Sequence, residues 1–91
     1  MAPGGASRIV ASRLEVSGIE SHRDVRRALQ ELFDVFASNG LGQATFELGE
    51  GGRAVLWIKH LDTVEVDGRV IQQALSRAGD YTVVGDPRRA R

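Results

Sequence analysis

Apolar side chains in this chain recur first at every second position, then at every third or fourth, and the changes of period divide it into elements. Val10, Ser12, Leu14 and Val16 alternate with Ile9, Ala11, Arg13 and Glu15, which predicts a strand over 9–17 with one buried face. Val25, Ala28, Leu29, Leu32, Phe33 and Phe36 then form a continuous helical stripe, with Arg23, Arg26, Arg27, Gln30, Glu31 and Asp34 covering the rest of the helix. Ser21 followed by Asp24 is a weaker form of the capping box and marks the start of that helix, and Asn39-Gly40 closes it. Alternation returns over 43–48 and 53–59, joined by Gly49-Glu50-Gly51-Gly52 as a hairpin turn. Leu56 and Ile58 share one face of the second hairpin strand, and Val55 and Trp57 share the other. Residues 63–66 read as a short extended piece or an early helical turn from Asp62, with the extended form preferred. Asp67 is placed to cap a second helix with the stripe Ile71, Ala74, Leu75 and Ala78, ending at Gly79. A last strand follows over 81–84.

The order β-α-β-β-α-β in a chain of this length predicts an α+β fold, the ferredoxin-like sandwich: an antiparallel four-stranded sheet with two helices on one face. The crossovers are expected to run from the first strand to the third and from the second to the fourth. That arrangement makes the first and third strands central and gathers Arg13, Glu15, Val55 and Trp57 on the open face. Residues 1–7 are small and Gly-rich and read as a flexible lead-in, 8–85 as a single domain, and 86–91 as a flexible basic tail, because Pro87 lacks the N–H that a ladder needs.

Composition narrows the chemistry more than it suggests any. Twelve basic and twelve acidic residues in 91 give no net charge, so a charged partner must meet a local patch rather than a global field. With no cysteine there is no disulfide, thiolate metal site or cysteine nucleophile. No stretch approaches the length of a membrane span and the start is not a secretory signal, so the expectation is a cytoplasmic protein without membrane insertion. No nucleophile paired with a base and no phosphate-cradling glycine loop is visible, so no enzymatic activity is expected.

Gly18-Ile19-Glu20-Ser21-His22-Arg23-Asp24, Ala28-Leu29, and the later run from Ile71 to Gly79 resemble the heavy-metal-associated domain. That family comprises copper and mercury chaperones and the amino-terminal modules of metal-pumping ATPases. The resemblance spans roughly 13–84 and implies the same fold, with contacts made through the loop before the first helix. The family's two metal-binding cysteines fall on Ser21 and Asp24, and a hydroxyl with a carboxylate does not hold Cu(I).

Three sets of residues remain as candidates. Glu20, His22, Asp24 and His60 offer oxygen and nitrogen ligands for a divalent ion such as zinc or cobalt, provided that the loop and His60 converge; otherwise Ser21 and Asp24 only cap the helix, and no cofactor is expected. Arg23, Arg26 and Arg27 place cations where the helix dipole disfavours them, which points to an acidic partner or a phosphate-bearing ligand, or to simple solvation with pairing to Glu31 or Asp34. Val55 and Trp57, flanked by Arg13, Arg53 and Lys59, suggest a protein interface, including self-association through the sheet. Binding of single-stranded nucleic acid is disfavoured, because the stacking positions of an RNA-recognition motif hold Glu15, Arg53 and Val55. The resulting expectation is an interaction module, with a non-thiol metal carrier as the alternative.

Overall fold

A computed structural model describes residues 8–90. The elements are β1 (Ile9–Ser17), α1 (His22–Ser38), β2 (Leu41–Leu48), β3 (Arg53–Leu61), α2 (Gly68–Ala78) and β4 (Thr82–Ala90). The sheet order is β2-β3-β1-β4 and all neighbours are antiparallel. This is the ferredoxin-like α+β fold. The helices join β1 to β2 and β3 to β4, each pair separated by one strand, and so correct the expected crossovers from first to third and second to fourth.

The core lies between the sheet and the helices. Leu14 and Val16 of β1 and Ala54, Leu56 and Ile58 of β3 are buried there against Ala28, Leu32 and Phe36 of α1 and Ile71, Ala74 and Leu75 of α2. Both helices start where side-chain acceptors replace missing carbonyls. Ser21 accepts from the Asp24 N–H, and Asp67 accepts from the Arg69 N–H.

Phe33 is a correction to the expected stripe: it is 69% exposed, and Val35 packs against the core instead. The face of α1 over the sheet is centred on Leu32. Phe33 stands about 100° round the axis from Leu32, beyond what the sheet covers. Residues 62–67 form a turn and an irregular stretch rather than an extended piece, although Val66 packs on the core.

The larger correction is at the C-terminal end. β4 does not stop at 84 and residues 86–90 are not a free tail: Arg88, Arg89 and Ala90 pair with Arg13, Ser12 and Ala11. Between Val84, opposite Glu15, and Arg88, opposite Arg13, the strand inserts Gly85, Asp86 and Pro87 against Leu14 alone. Gly85 takes φ 79° there, and the bulge absorbs the proline without asking it for a ladder hydrogen bond. Residues 1–7, read as a flexible lead-in, and Arg91 lie outside the described residues.

Candidate functional site

The loop between β1 and α1 is a closed hydrogen-bonded unit. Gly18 adopts φ 95°, and a Cβ there would stand 2.5 Å from the Asp80 carbonyl oxygen, so only glycine fits. The Gly18 and Ile19 N–H groups both donate to the Gly52 carbonyl, at 2.8 and 3.0 Å. Asp24 is the hub: Oδ2 accepts from the Glu20 N–H at 2.9 Å, and Oδ1 accepts from the Tyr81 hydroxyl at 2.7 Å. The Glu20 amide, and then the Tyr81 hydroxyl, hold the Asp24 carboxyl below the ordinary carboxylate range. Burial, and then the bond to Asp24, push the Tyr81 phenol above its ordinary value.

His60 is not part of this loop. It pairs with Val10 at the far end of β1, about 20 Å along the strand from Glu20, His22 and Asp24. The proposed ligand set is therefore not brought together, and no group of three or more His, Asp or Glu among the described residues is placed to hold a metal ion. His60 is buried instead against Ser12, with Nε2 and the Ser12 Oγ 2.8 Å apart and Nδ1 2.8 Å from the Leu61 carbonyl oxygen. Nδ1 must donate to that carbonyl, so in the neutral ring Nε2 accepts a hydrogen bond from the Ser12 hydroxyl. A hydroxyl paired with a base does exist, contrary to the expectation from sequence. The partners lie 48 residues apart and meet only through the β1–β3 register. Each satisfies the other's buried polar atom.

The sheet face without helices carries Val55 and Trp57 of β3, both half-buried, beside Glu15 and Arg13 of β1. The Trp57 indole N–H donates to the Glu47 carboxylate at 3.1 Å, which fixes the ring over the sheet. Arg53 forms an ion pair with Glu15. Arg13 and Lys59 take part in no ion pair among the described residues, and neither does Arg88, which the continuation of β4 sets directly opposite Arg13. A shallow depression of about 380 Å³ between Arg13 and Arg88 is also lined by Glu15, Val55, Val84 and Asp86. Ile9, 73% exposed, and Leu61, 42% exposed, pair at the end of the same face. Arg88 belongs to a segment read from sequence as tail, and only its pairing with β1 reveals it as part of this surface.

Arg23, Arg26 and Arg27 are exposed on α1, and none forms an ion pair among the described residues. Glu31, one of their expected partners, is taken by Arg77 of α2 at 3.2 Å. Arg27 lies beside the Tyr81 hydroxyl.

No protein-family model and no curated protein matches the chain. Among solved structures it is similar to an unknown protein from Galdieria sulphuraria, with 20% sequence identity and a TM-score of 0.50. The match covers 92% of this chain and 46% of that one, so the chain spans about half the length of its structural neighbour. At that identity the likeness establishes the fold alone. No helix among the described residues is long and apolar enough to cross a membrane.

Proposed function

We propose that this domain is a protein-binding module that takes an acidic segment of a partner across the open face of its sheet, with Trp57 as the apolar anchor. The observation that carries this reading is the set of three cations without an ion pair among the described residues, Arg13, Lys59 and Arg88, on the same helix-free face as a half-buried tryptophan. The strands already fix the backbone beneath these cations, so binding orders side chains alone, and an aromatic ring with an oriented N–H offers area at low entropic cost. Nucleic acid fits less well. Trp57 is the one aromatic residue on this face among the described residues, with no second platform on β1 for a stacked base.

The test is selection of random peptides on the immobilised chain, with counter-selection on a variant carrying Arg13→Glu and Arg88→Glu. Enriched peptides should be acidic with one or two large apolar residues, and should bind less tightly as salt is raised. Enrichment of basic peptides, or tighter retention of a single-stranded oligonucleotide than of any peptide, contradicts the proposal. The unpaired arginines of α1 favour a second reading, in which the acidic partner docks there. Replacing Arg23 and Arg27 by Glu separates the two: loss of binding in that variant, with Trp57→Ala unaffected, moves the site to the helix.

A further inference from the structure

The two outer strands of the sheet are finished differently. β4 is blocked on its outer side: the Gln72 side chain of α2 accepts from the Val83 N–H at 2.7 Å and donates to the Tyr81 carbonyl oxygen at 3.0 Å, as a neighbouring strand would. The insertion of Gly85, Asp86 and Pro87 then breaks the strand's regularity. Outer strands of soluble proteins are commonly protected in such ways, because their free N–H and C=O groups are a template for another strand.

β2, the other outer strand, has no such protection among the described residues between its own irregularity at Gly42-Gln43 and the turn at Gly49. The stretch Ala44-Thr45-Phe46-Glu47-Leu48 contains no proline or lysine, and Glu47 is its single charge. The Gly49 N–H donates to the Arg53 carbonyl oxygen at 2.8 Å, so the odd-numbered residues of this stretch point their backbone groups at β3. Those of Ala44, Phe46 and Leu48 therefore point outward, away from the sheet. The apolar side chains along this edge are also incompletely covered. Phe46 and Leu48 face the helix layer, yet Phe46 is only half-buried and Leu48 is 38% exposed. Phe33 stands on the flank of α1 opposite the side where Glu31 meets Arg77 of α2, which is the flank over β2.

We infer that β2 pairs antiparallel with β2 of a second copy of this chain, about a two-fold axis at Phe46, to make one continuous eight-stranded sheet. This register follows from the strand itself. It places the outward backbone groups of Ala44, Phe46 and Leu48 opposite those of Leu48, Phe46 and Ala44 in the second copy. On the helix side it sets small Ala44 against larger Leu48 and Phe46 against Phe46, beneath the two Phe33 side chains. On the open side it sets Thr45 against Glu47, a hydroxyl against a carboxylate. A slip of one pair toward the turn would oppose Glu47 to Glu47, and a slip the other way would run the pairing into the Gly42-Gln43 irregularity. The inference rests on the strand edge and stands independently of what binds the open face. If both hold, each dimer presents two copies of the Trp57 surface on one sheet.

The test is sedimentation equilibrium of the full chain, with Thr45→Glu, Glu47→Lys and the double variant alongside. The wild-type chain should sediment at twice the monomer mass at about 100 µM. Thr45→Glu places carboxylates opposite each other twice across the axis, and should weaken the dimer at least tenfold while leaving the circular-dichroism melt in place at concentrations low enough for the wild type to be monomeric, since Thr45 is exposed. Combining it with Glu47→Lys sets Glu against Lys and should restore the dimer. A wild-type chain that stays monomeric at 1 mM overturns the inference, as does a dimer that Thr45→Glu does not weaken. A dimer weakened by Thr45→Glu but not recovered in the double variant overturns the register.

Discussion

The two faces of the sheet are written by the same strands and obey different rules. Along β3, Ala54, Leu56, Ile58 and His60 are buried beneath the helices, while Arg53, Val55, Trp57 and Lys59 alternate with them on the open side. Shape and volume decide the covered face, where the buried Ser12 hydroxyl and His60 imidazole satisfy each other. Charge decides the open face. There Arg53 is answered by Glu15 and the Trp57 N–H by Glu47, whereas Arg13, Lys59 and Arg88 are left without an ion pair among the described residues. Residues that specify the fold and residues left on the open face are thus separated by one strand position.

The sharpest way to break that contrast is to truncate neighbours on opposite faces. Leu56→Ala empties a fully buried site and should cost about 2–5 kcal/mol in urea denaturation, whereas Val55→Ala should cost under about 1 kcal/mol. Equal losses would mean that the open face is also covered. Next in size is Ser12→Ala, which leaves the His60 Nε2 buried without its donor and should cost roughly 1–3 kcal/mol. No change in the denaturation midpoint would show that water reaches the imidazole.

Asp24 sharpens the comparison from the rim, where the loop meets β4. Its carboxyl titrates below its ordinary value of 3.8 in the folded chain, so its contribution is fully present above that pH and is lost as pH falls through the folded value. The Tyr81 phenol, raised above its ordinary 10.0, contributes the opposite limb and weakens the fold as pH rises past 10. Asp24→Asn should flatten the acid limb of the stability profile. An acid limb as steep as that of the wild type assigns it to other carboxylates. The smallest effect is expected at Phe33: Phe33→Ala should change stability by less than about 0.5 kcal/mol at low protein concentration, and a loss above about 2 kcal/mol would return that ring to the core.

Period and capping carried most of the fold, because both are local. Alternation over β1 and β3, Ser21 and Asp67 as caps, and the glycine turn at 49–52 all stand in the structure as the residue pattern predicts. The misreadings come from facts that no local window contains. Six apolar positions on α1 are more than one sheet face can cover, and which one is left out depends on where the sheet lies, so Phe33 looked like Leu32. Pro87 forbids a regular ladder locally, yet β1 still offers an unpaired edge beyond it, and a bulge reconciles the two. His60 was grouped with the loop by chemistry, whereas the register ties it to Ser12. The open-face pair Val55 and Trp57 was legible from alternation alone. Arg88 was not, because its place there follows from the length of β4.

The proposed partner surface centres on Trp57. Calorimetric titration of an acidic peptide selected on the wild-type chain, run on wild type and on Trp57→Ala with the urea midpoint of each measured in parallel, separates binding from folding. The account predicts at least a tenfold loss of peptide affinity, about 1.4 kcal/mol or more, with a stability change below about 1 kcal/mol. Unchanged affinity in a folded Trp57→Ala chain would contradict it and place the partner surface elsewhere.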